Sequence, residues 1–375
     1  MLSMIRNYRY LLLKKMVTGT KGQSNAEEEQ LPPLSIIVPT RDQCDELRQN
    51  LPFLLEQDYP QDFEVIVVDI NSKDETLQYL ESIKSRYLNL RISRMPETVR
   101  NVSHIRLALT MGIRAASNEW NVLTLPTCRP ASESWLTHMG RTCCKSEKNE
   151  IVLGYTKLGD GKGWNGLRCR FFRLWQQMLT LTLVSRRGAY RADGINVCYQ
   201  RSLFLSHKGF ADHSNLAVGA TDIMVNHHST KQNTAVCLHP DALMLQSLPK
   251  NPRWWHQERL FFMETRRHFR HYLPYRLRYV WNVFLTLAFT LSIAYVIASE
   301  LTLFQNYYIL GIAIALWLIH FCFRALWFNS AARSVGERPM TFSLPLLLHL
   351  VPIWDSSAWF QWLFTNKKMF NKKHI

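Results

Sequence analysis

The sequence predicts an α/β domain with a doubly wound, mostly parallel sheet, followed by an apolar helical region. Two observations predict the domain: short β-branched apolar runs recur along the chain, and segments of helical periodicity separate them. Strands that are buried on both faces read as continuous apolar runs, so this alternation indicates a sheet covered by helices on both sides. The third observation is that two apolar stretches of roughly 20 residues follow Pro274, each long enough to cross a bilayer.

The predicted elements alternate from residue 34 onward. The first two strands are expected at 34–38 and 64–69, where β-branched runs are bounded by turn residues. Between them, residues 43–57 place leucines at helical spacing, which predicts a helix. The remaining helices and strands are expected at 74–87, 90–93, 103–116, 121–125, 131–145 and 151–155. Ligands in such sheets bind at the carboxyl ends of the strands, so functional residues are expected in the loops that follow them.

The charge of the chain indicates an anionic partner. The 375 residues carry a formal net charge of +16. Basic residues cluster between Arg266 and Arg278, before the apolar region, and between Lys367 and Lys373. Such residues beside apolar helices fit contact with lipid headgroups and retention in the cytosol, whereas no nucleic-acid-binding motif accompanies them. Nucleic acid is therefore not expected as a partner. The eight cysteines lack C-x-x-C spacing, which favours reduced thiols facing the cytosol.

Three regions are predicted. Residues 1–33 form an N-terminal segment and linker, in which the apolar stretch 8–13 is either a short amphipathic anchor or a solvated helix. Residues 34–272 form the α/β domain, and residues 273–375 form a membrane region. Within that region, 281–328 is a helical hairpin with both ends in the cytosol, because basic residues flank its outer ends. Prolines and tryptophans at 342–364 favour an interfacial or re-entrant helix pair over a membrane span.

Two segments resemble the family 2 glycosyltransferases. These are residues 34–43 (LSIIVPTRDQ) and 57–69 (QDYPQDFEVIVVD), and further similar segments extend as far as Arg270. The resemblance implies the GT-A fold and a nucleotide-diphosphate sugar as a partner. It also implies that the loop at Pro39 and the carboxylate of Asp69 recognise the nucleotide.

The residues themselves also favour nucleotide binding at these positions. Asp69 ends its strand, where a carboxylate can accept hydrogen bonds from uracil or ribose hydroxyls. The turn of Pro39, Thr40 and Arg41 presents backbone donors and a guanidinium group, which suits phosphate. The alternative for Asp69 is a turn or helix-capping carboxylate that only shapes residues 69–74.

The positions that the resemblance assigns to catalysis differ from the family pattern. The family holds a divalent cation, Mg²⁺ or Mn²⁺, with an Asp-x-Asp motif, and the cation neutralises the leaving pyrophosphate. Here that motif falls at residues 125–127 (LPT), which contain no carboxylate, so no metal ligand is predicted. Thr127 keeps a hydroxyl and is expected to contact the nucleotide sugar. The family's general base follows a glycine, which here begins the stretch Gly219-Ala-Thr-Asp222. Asp222 is therefore the candidate base, with a helix-start carboxylate as the alternative.

A third element of the family, Q-x-x-R-W, is kept only at Gln257. Trp254 and Trp255 stand just before it. These three residues are expected to line a cleft for the acceptor, and the alternative is that the two tryptophans form an interfacial belt beneath the membrane hairpin.

The sequence thus predicts two related functions. The first is an inverting, nucleotide-sugar-dependent glycosyltransferase of the cytoplasmic (inner) membrane, which acts on a lipid-linked or cell-envelope acceptor from the cytosol. The second is an inactive pseudo-glycosyltransferase that binds a nucleotide sugar or scaffolds an active partner. A transport or channel module is disfavoured, because the two apolar stretches contain no paired charges that would mark a pathway.

Overall fold

A computed structural model describes residues 31–95, 103–192, 194–210, 219–248, 251, 253–270, 272–304 and 306–366. The predicted N-terminal anchor at 8–13, most of the linker and the basic cluster at 367–373 lie outside the described residues. The strands within the described residues are β1 (Leu34–Thr40), β2 (Phe63–Asp69), β3 (Leu90–Arg94), β4 (Trp120–Leu123), β5 (Cys128–Pro130), β6 (Ile151–Gly154), β7 (Thr156–Leu158), β8 (Val197–Gln200), β9 (Thr234–Cys237) and β10 (Met244–Gln246).

Seven of these strands form the central sheet, in the order β3-β2-β1-β4-β8-β6-β9. Strand β8 is antiparallel to both of its neighbours, and every other pair in this sheet is parallel. The prediction of a mostly parallel α/β sheet is therefore confirmed. Because β8 runs against β4, it begins at the edge where the parallel strands end. Strands β5, β10 and β7 form a second, three-stranded sheet.

Helices cover both faces of the central sheet. The α-helices within the described residues are α1 (Cys44–Leu55), α2 (Thr76–Lys84), α3 (His104–Ala115), α4 (Trp135–Cys144), α5 (Gly163–Arg187), α6 (Arg201–Ser206), α7 (Ala220–His228), α8 (Trp254–Thr265), α9 (Tyr272–Ser299), α10 (Tyr307–Ser334) and α11 (Leu344–Phe364). Helices α1 to α4 lie where the sequence predicted them. The long helix α5 had no counterpart in the sequence analysis.

The core lies on the two faces of β1. Successive side chains of a strand point to opposite faces, and Ile36 and Ile37 accordingly belong to different buried clusters. Ile36 packs in the cluster that contains the leucines of α1 and Trp135 of α4. Ile37 packs in the cluster that contains Phe171 of α5 and Phe328 of α10. The C-terminal end of α10 is therefore part of the core of the α/β domain.

The C-terminal region consists of three long helices. Among the described residues, α10 is the one helix that is long and apolar enough to cross a membrane, and the apolar part of α9, Leu287–Thr302, is shorter. Membrane insertion of the hairpin 281–328 stays a prediction. The expected helix pair at 342–364 is instead one helix, α11, which continues through Pro352. Helix α11 packs along α8, where Trp354 contacts Trp255 edge-to-face. Pro352 has no backbone N–H to donate, and the contact of the nearby Trp354 stabilises the helix there.

Candidate functional site

The carboxyl ends of β1 and β2 lie side by side, with Thr40 in register with Asp69. Asp69 is 3% exposed, and its carboxylate accepts hydrogen bonds from both the backbone N–H, at 3.2 Å, and the hydroxyl of Ser72. The Ser72 hydroxyl accepts from the backbone N–H of Asp42 at 2.9 Å, and the Asp42 carboxylate accepts from that of Lys73 at 2.6 Å. Asp69 thus shapes the loop after β2 and ties it to the loop after β1, as the turn-carboxylate alternative expects. Its role in nucleotide binding stays a prediction.

The turn after β1 places polar groups beside Asp69. Pro39 and Thr40 are buried, whereas Arg41 is half-exposed and its guanidinium Nη1 lies 3.5 Å from His104 Nδ1 at the start of α3. Within the described residues, the buried hydroxyls of Thr40 and Thr124 have no hydrogen-bond partner. Thr124 directly follows β4, the strand beside β1, so both hydroxyls are near one edge of the sheet. Buried polar groups are normally hydrogen-bonded, which makes this edge a candidate binding site for a polar ligand.

The family's metal position lies in the loop between β4 and β5. Leu125 packs against the buried cluster of α1 and α4, and Pro126 is buried. The Thr127 hydroxyl lies 3.8 Å from Cys128 Sγ, and the Thr127 carbonyl accepts from the backbone N–H of Ser247 at 2.9 Å. No carboxylate stands among residues 125–127. This donor set does not fit a hard divalent cation, which requires several oxygen ligands.

Asp222 lies in the first turn of α7, and it is 8% exposed. Its Oδ1 accepts from the backbone N–H of Ala192 at 2.9 Å and lies 3.4 Å from Arg191 Nε. Arg191 also donates to Gln176 Oε1 at 2.9 Å. Asp222 therefore holds the segment before β8 against α7, as a helix-start carboxylate does. This ion pair competes with the acceptance of a proton from a substrate.

An open cleft lies beside the Asp222–Arg191 pair. The end of β6, the start of β8 and one face of α5 form it, so it opens at the same edge of the sheet as Thr40 and Asp69. Its polar lining consists of Arg173, Gln176, Gln177, Thr180 and Arg191. Two arginines make the cleft suitable for an anionic group. The sequence analysis missed it because it missed α5.

The predicted acceptor residues Trp254, Trp255 and Gln257 lie on α8, and their role in binding an acceptor stays a prediction. Trp255 is 9% exposed and packs on Trp354 of α11, with ring centroids 5.3 Å apart. Trp254 is half-buried, and the Arg173 guanidinium lies 5.9 Å from its ring centroid. Trp254 therefore adjoins the cleft through Arg173, whereas Trp255 joins α8 to α11. Gln257 is half-buried on α8 and is not among the residues that line the cleft.

Residues 35–124 match the family model of glycosyl transferase family 2. None of the curated proteins matches the chain in sequence. Mannosyltransferase PcManGT from Pyrobaculum calidifontis, solved with GDP-Man and Mn²⁺, is 18% identical with a TM-score of 0.52, and the alignment covers 99% of this chain and 98% of that chain. TarS 1-349 from S. aureus, solved with UDP-GlcNAc, is 15% identical over 88% of this chain and 90% of that chain. Its TM-score is 0.42, and we draw no conclusion from it.

The family match and the fold agree in position. The matched residues contain β1 to β4, whose carboxyl ends carry Thr40, Asp69 and Thr124. The similarity to the mannosyltransferase shows the fold over nearly the whole chain. Residues 35–124 thus match the family 2 model within a chain whose fold is similar to that of the mannosyltransferase, a GT-A-like α/β fold.

Proposed function

We propose that this protein binds a nucleotide-diphosphate sugar at the carboxyl edge of β1, β2 and β4 and transfers the sugar to a lipid-linked or cell-envelope acceptor. One observation carries the proposal: Thr40, Arg41, Asp69 and Thr124 meet at this edge, inside the family match. The unsatisfied hydroxyls of Thr40 and Thr124 support a polar ligand there. GDP-Man, the ligand of the mannosyltransferase, belongs to the class that we propose.

In this proposal, different residues bind different parts of the substrates. The Asp69 carboxylate accepts hydrogen bonds from the ribose or the base, since a carboxylate has more acceptor sites than Ser72 uses. The Arg41 guanidinium contacts the diphosphate. The cleft beside Arg173 and Arg191 receives the acceptor on the other side of the sugar.

In the transfer step, the acceptor hydroxyl attacks the anomeric carbon, and the bond from that carbon to the diphosphate oxygen breaks. The hydroxyl proton goes to Asp222, and the ion pair with Arg191 competes with this transfer. A divalent cation would assist the leaving diphosphate in this family, but residues 125–127 do not fit one, and no step here depends on it.

We place the reaction at the cytosolic face of the cytoplasmic membrane. The part of α10 that lies away from the core exposes Ile312, Leu316, Ile319 and Phe323, each more than 40% accessible. A contiguous apolar surface of this kind suits lipid. The basic residues at 266–270 precede the hairpin, which suits anionic headgroups.

A second candidate function is a non-catalytic protein that binds a nucleotide sugar or scaffolds an active partner. Two observations favour it: residues 125–127 carry no carboxylate, and Asp222 is already paired with Arg191. Both candidates require the nucleotide site, so nucleotide binding tests them together.

Calorimetry on the detergent-solubilised full chain, with UDP, GDP and their sugars, tests the site. Asp69→Asn keeps an acceptor for Ser72 but removes the charge, so we expect nucleotide affinity to fall about 10–100-fold, the loss for a hydrogen bond to a charged group. The control is Asp62→Asn, an exposed carboxylate at the opposite edge of the sheet, which should leave affinity unchanged. Failure of all nucleotides to bind, or equal affinity in both variants, would refute the proposed site.

Nucleotide release separates the two candidates. A transferase should release nucleotide from its donor when an acceptor lipid is present, and Asp222→Asn should slow that release by about 100-fold or more. Asparagine still offers an oxygen to the backbone N–H of Ala192, so this variant should fold. If nucleotide binds with no release, the second candidate holds. If release occurs unchanged in Asp222→Asn, the base assignment is wrong.

A further inference from the structure

Three potential metal ligands meet at the outer edge of the sheet, where α4 packs against β9. They are His138 on α4 and His239 and Asp241 in the connection between β9 and β10. One ligand atom from each residue lies within 4.8 Å of the other two, and this is the one such group of three in the described part of the chain. Asp241 Oδ2 lies 4.0 Å from His138 Nε2 and 3.5 Å from His239 Nδ1.

The backbone holds both arms of this group in place. His239 precedes a 3-10 turn (Pro240–Ala242), and its Nδ1 accepts from the backbone N–H of Asp241 at 3.3 Å, a hydrogen bond that coordination through Nδ1 would replace. The Ser132 hydroxyl, just before α4, donates to the Asp241 carbonyl at 2.8 Å. On the other arm, the carbonyl of His138 accepts from Cys237 Sγ at 3.5 Å. The side chains are thus brought together by contacts between two segments that are about 100 residues apart in sequence.

These distances are close to those around a zinc ion. Zn²⁺ binds imidazole nitrogen and carboxylate oxygen at about 2.0–2.2 Å, so neighbouring ligands of a tetrahedral ion are about 3.3–3.6 Å apart. The two separations to Asp241 need shortening by no more than about 0.7 Å to reach that range, and the ligand nitrogens of the two histidines lie within 4.8 Å of each other. The imidazole rings are stacked, with centroids 3.7 Å apart and 15° between planes, so one ring must turn for both to direct a nitrogen at the ion. Asp241 is exposed, so water can complete the coordination.

We propose that His138, His239 and Asp241 bind one zinc-class divalent cation, and that this ion links α4 to the β9–β10 connection. The site is separate from the family's metal position at residues 125–127 and does not depend on sugar transfer. It would act structurally: β10 pairs with β5, the strand that follows residues 125–127, and α4 follows β5. A bound ion would therefore stabilise the second sheet beside that loop.

Titration of Zn²⁺ into the chelator-stripped full chain, followed by calorimetry, tests the site. His138→Asn and Asp241→Asn should each lower the number of tightly bound ions by one. We expect an affinity loss of at least about 100-fold at this site, because even loss of an outer-shell partner costs about 10–100-fold. The matched control is His207→Asn, which alters a second close histidine pair, His207 and His228, with ring centroids 3.8 Å apart and 42° between planes. It should bind as the unaltered chain does, because that pair belongs to no group of three ligands among the described residues.

Two further readouts keep the test independent of folding and of the cysteines. Zn²⁺ at about 100 times Kd should raise the melting temperature of the unaltered chain by about 2 °C or more. The increase should be smaller for Asp241→Asn, which changes the exposed ligand. Co²⁺ in the site should give visible d–d absorption without a thiolate charge-transfer band. Equal stoichiometry and affinity in all variants, or thiolate absorption from the tightly bound Co²⁺, would overturn the proposal.

Discussion

Glu337 is a buried carboxylate between α10 and α11, and replacing it tests how the C-terminal region is held on the α/β domain. Its side chain is 1% exposed. Its Oε1 accepts from the Tyr155 hydroxyl at 3.0 Å, and its Oε2 lies 3.4 Å from Arg170 Nη2. The adjacent carbonyl of Gly336 accepts from Lys157 Nζ at 2.8 Å. Glu337 thus connects this segment to α5 and to the start of the second sheet.

Two replacements of Glu337 should lower stability by different amounts. Glu337→Leu leaves the buried Tyr155 hydroxyl without its acceptor and removes one of the two carboxylates beside Arg170. A fully broken buried pair costs about 3–5 kcal/mol, but Asp160 remains 3.5 Å from Arg170, so we expect a loss of about 2–4 kcal/mol. Glu337→Gln keeps both contacts, because the amide oxygen can accept from Arg170 while the amide N–H donates to Tyr155. It should cost much less.

The pH dependence separates charge from hydrogen bonding. Burial raises the pKa of Glu337 above its ordinary value of 4.5, outweighing the opposing effects of Arg170 and Tyr155. The folded protein therefore holds this proton more tightly than the unfolded chain does. The stabilisation is complete below pH 4.5 and is lost as pH rises through the folded-state pKa. Each tenfold increase in folded-state proton affinity corresponds to about 1.4 kcal/mol lost in this way.

Denaturant unfolding of the solubilised chain, followed by tryptophan fluorescence from about pH 4.5 to about pH 8, measures the effect. Relative to the unaltered chain, Glu337→Gln should gain stability as pH rises, whereas Glu337→Leu should be the least stable near pH 4.5. If the stability difference between the unaltered chain and Glu337→Gln does not change with pH, burial does not control this carboxyl group. If Glu337→Leu unfolds like the unaltered chain, the segment is not held by these contacts.

Three further changes test the packing. Gly219→Ala adds a Cβ only 2.1 Å from Thr265 Cγ2 at a φ of +72°, and it should lower stability by about 1–3 kcal/mol in a denaturant melt. Phe328→Ala empties a fully buried position in the core, so it should cost about 3–5 kcal/mol, and a loss below 1 kcal/mol would place α10 outside the core. Trp135→Phe removes the indole N–H that donates to Asn196 Oδ1 at 3.0 Å, and unfolding should show a loss of about 1–3 kcal/mol.

The elements that the sequence predicted best are those with one buried face. Helices α1 to α4 repeat apolar side chains at helical spacing, and β1 and β2 are continuous apolar runs, so each was placed within a few residues. Helix α5 carries basic and aromatic residues around most of its circumference, because it contacts the core on one side and lines the cleft on another. Strands β5, β7 and β10 have three residues each, too few to show a period.

The sequence predicted the position of a site residue only where that residue directly follows or ends a predicted strand. Asp69 ends β2, and the rule for parallel sheets places it correctly at the carboxyl edge. The pairing of Asp222 with Arg191 joins residues 31 positions apart, and no local pattern indicates it. The same holds for His138, His239 and Asp241, because their proximity depends on the packing of α4 against β9.

The replaced acidic positions change the balance of charge at the carboxyl edge. Residues 125–127 contribute no negative charge, whereas Arg41 and Arg173 add positive charge beside the turn and the cleft, and Arg191 is paired with Asp222. A nucleotide diphosphate is anionic, so this edge favours its binding without a bridging cation. No comparable group compensates at the proposed base, because Asp222, the candidate to accept the acceptor's proton, is paired with Arg191. Affinity for the nucleotide should therefore survive where transfer is slow, and the two quantities must be measured separately to assign the function.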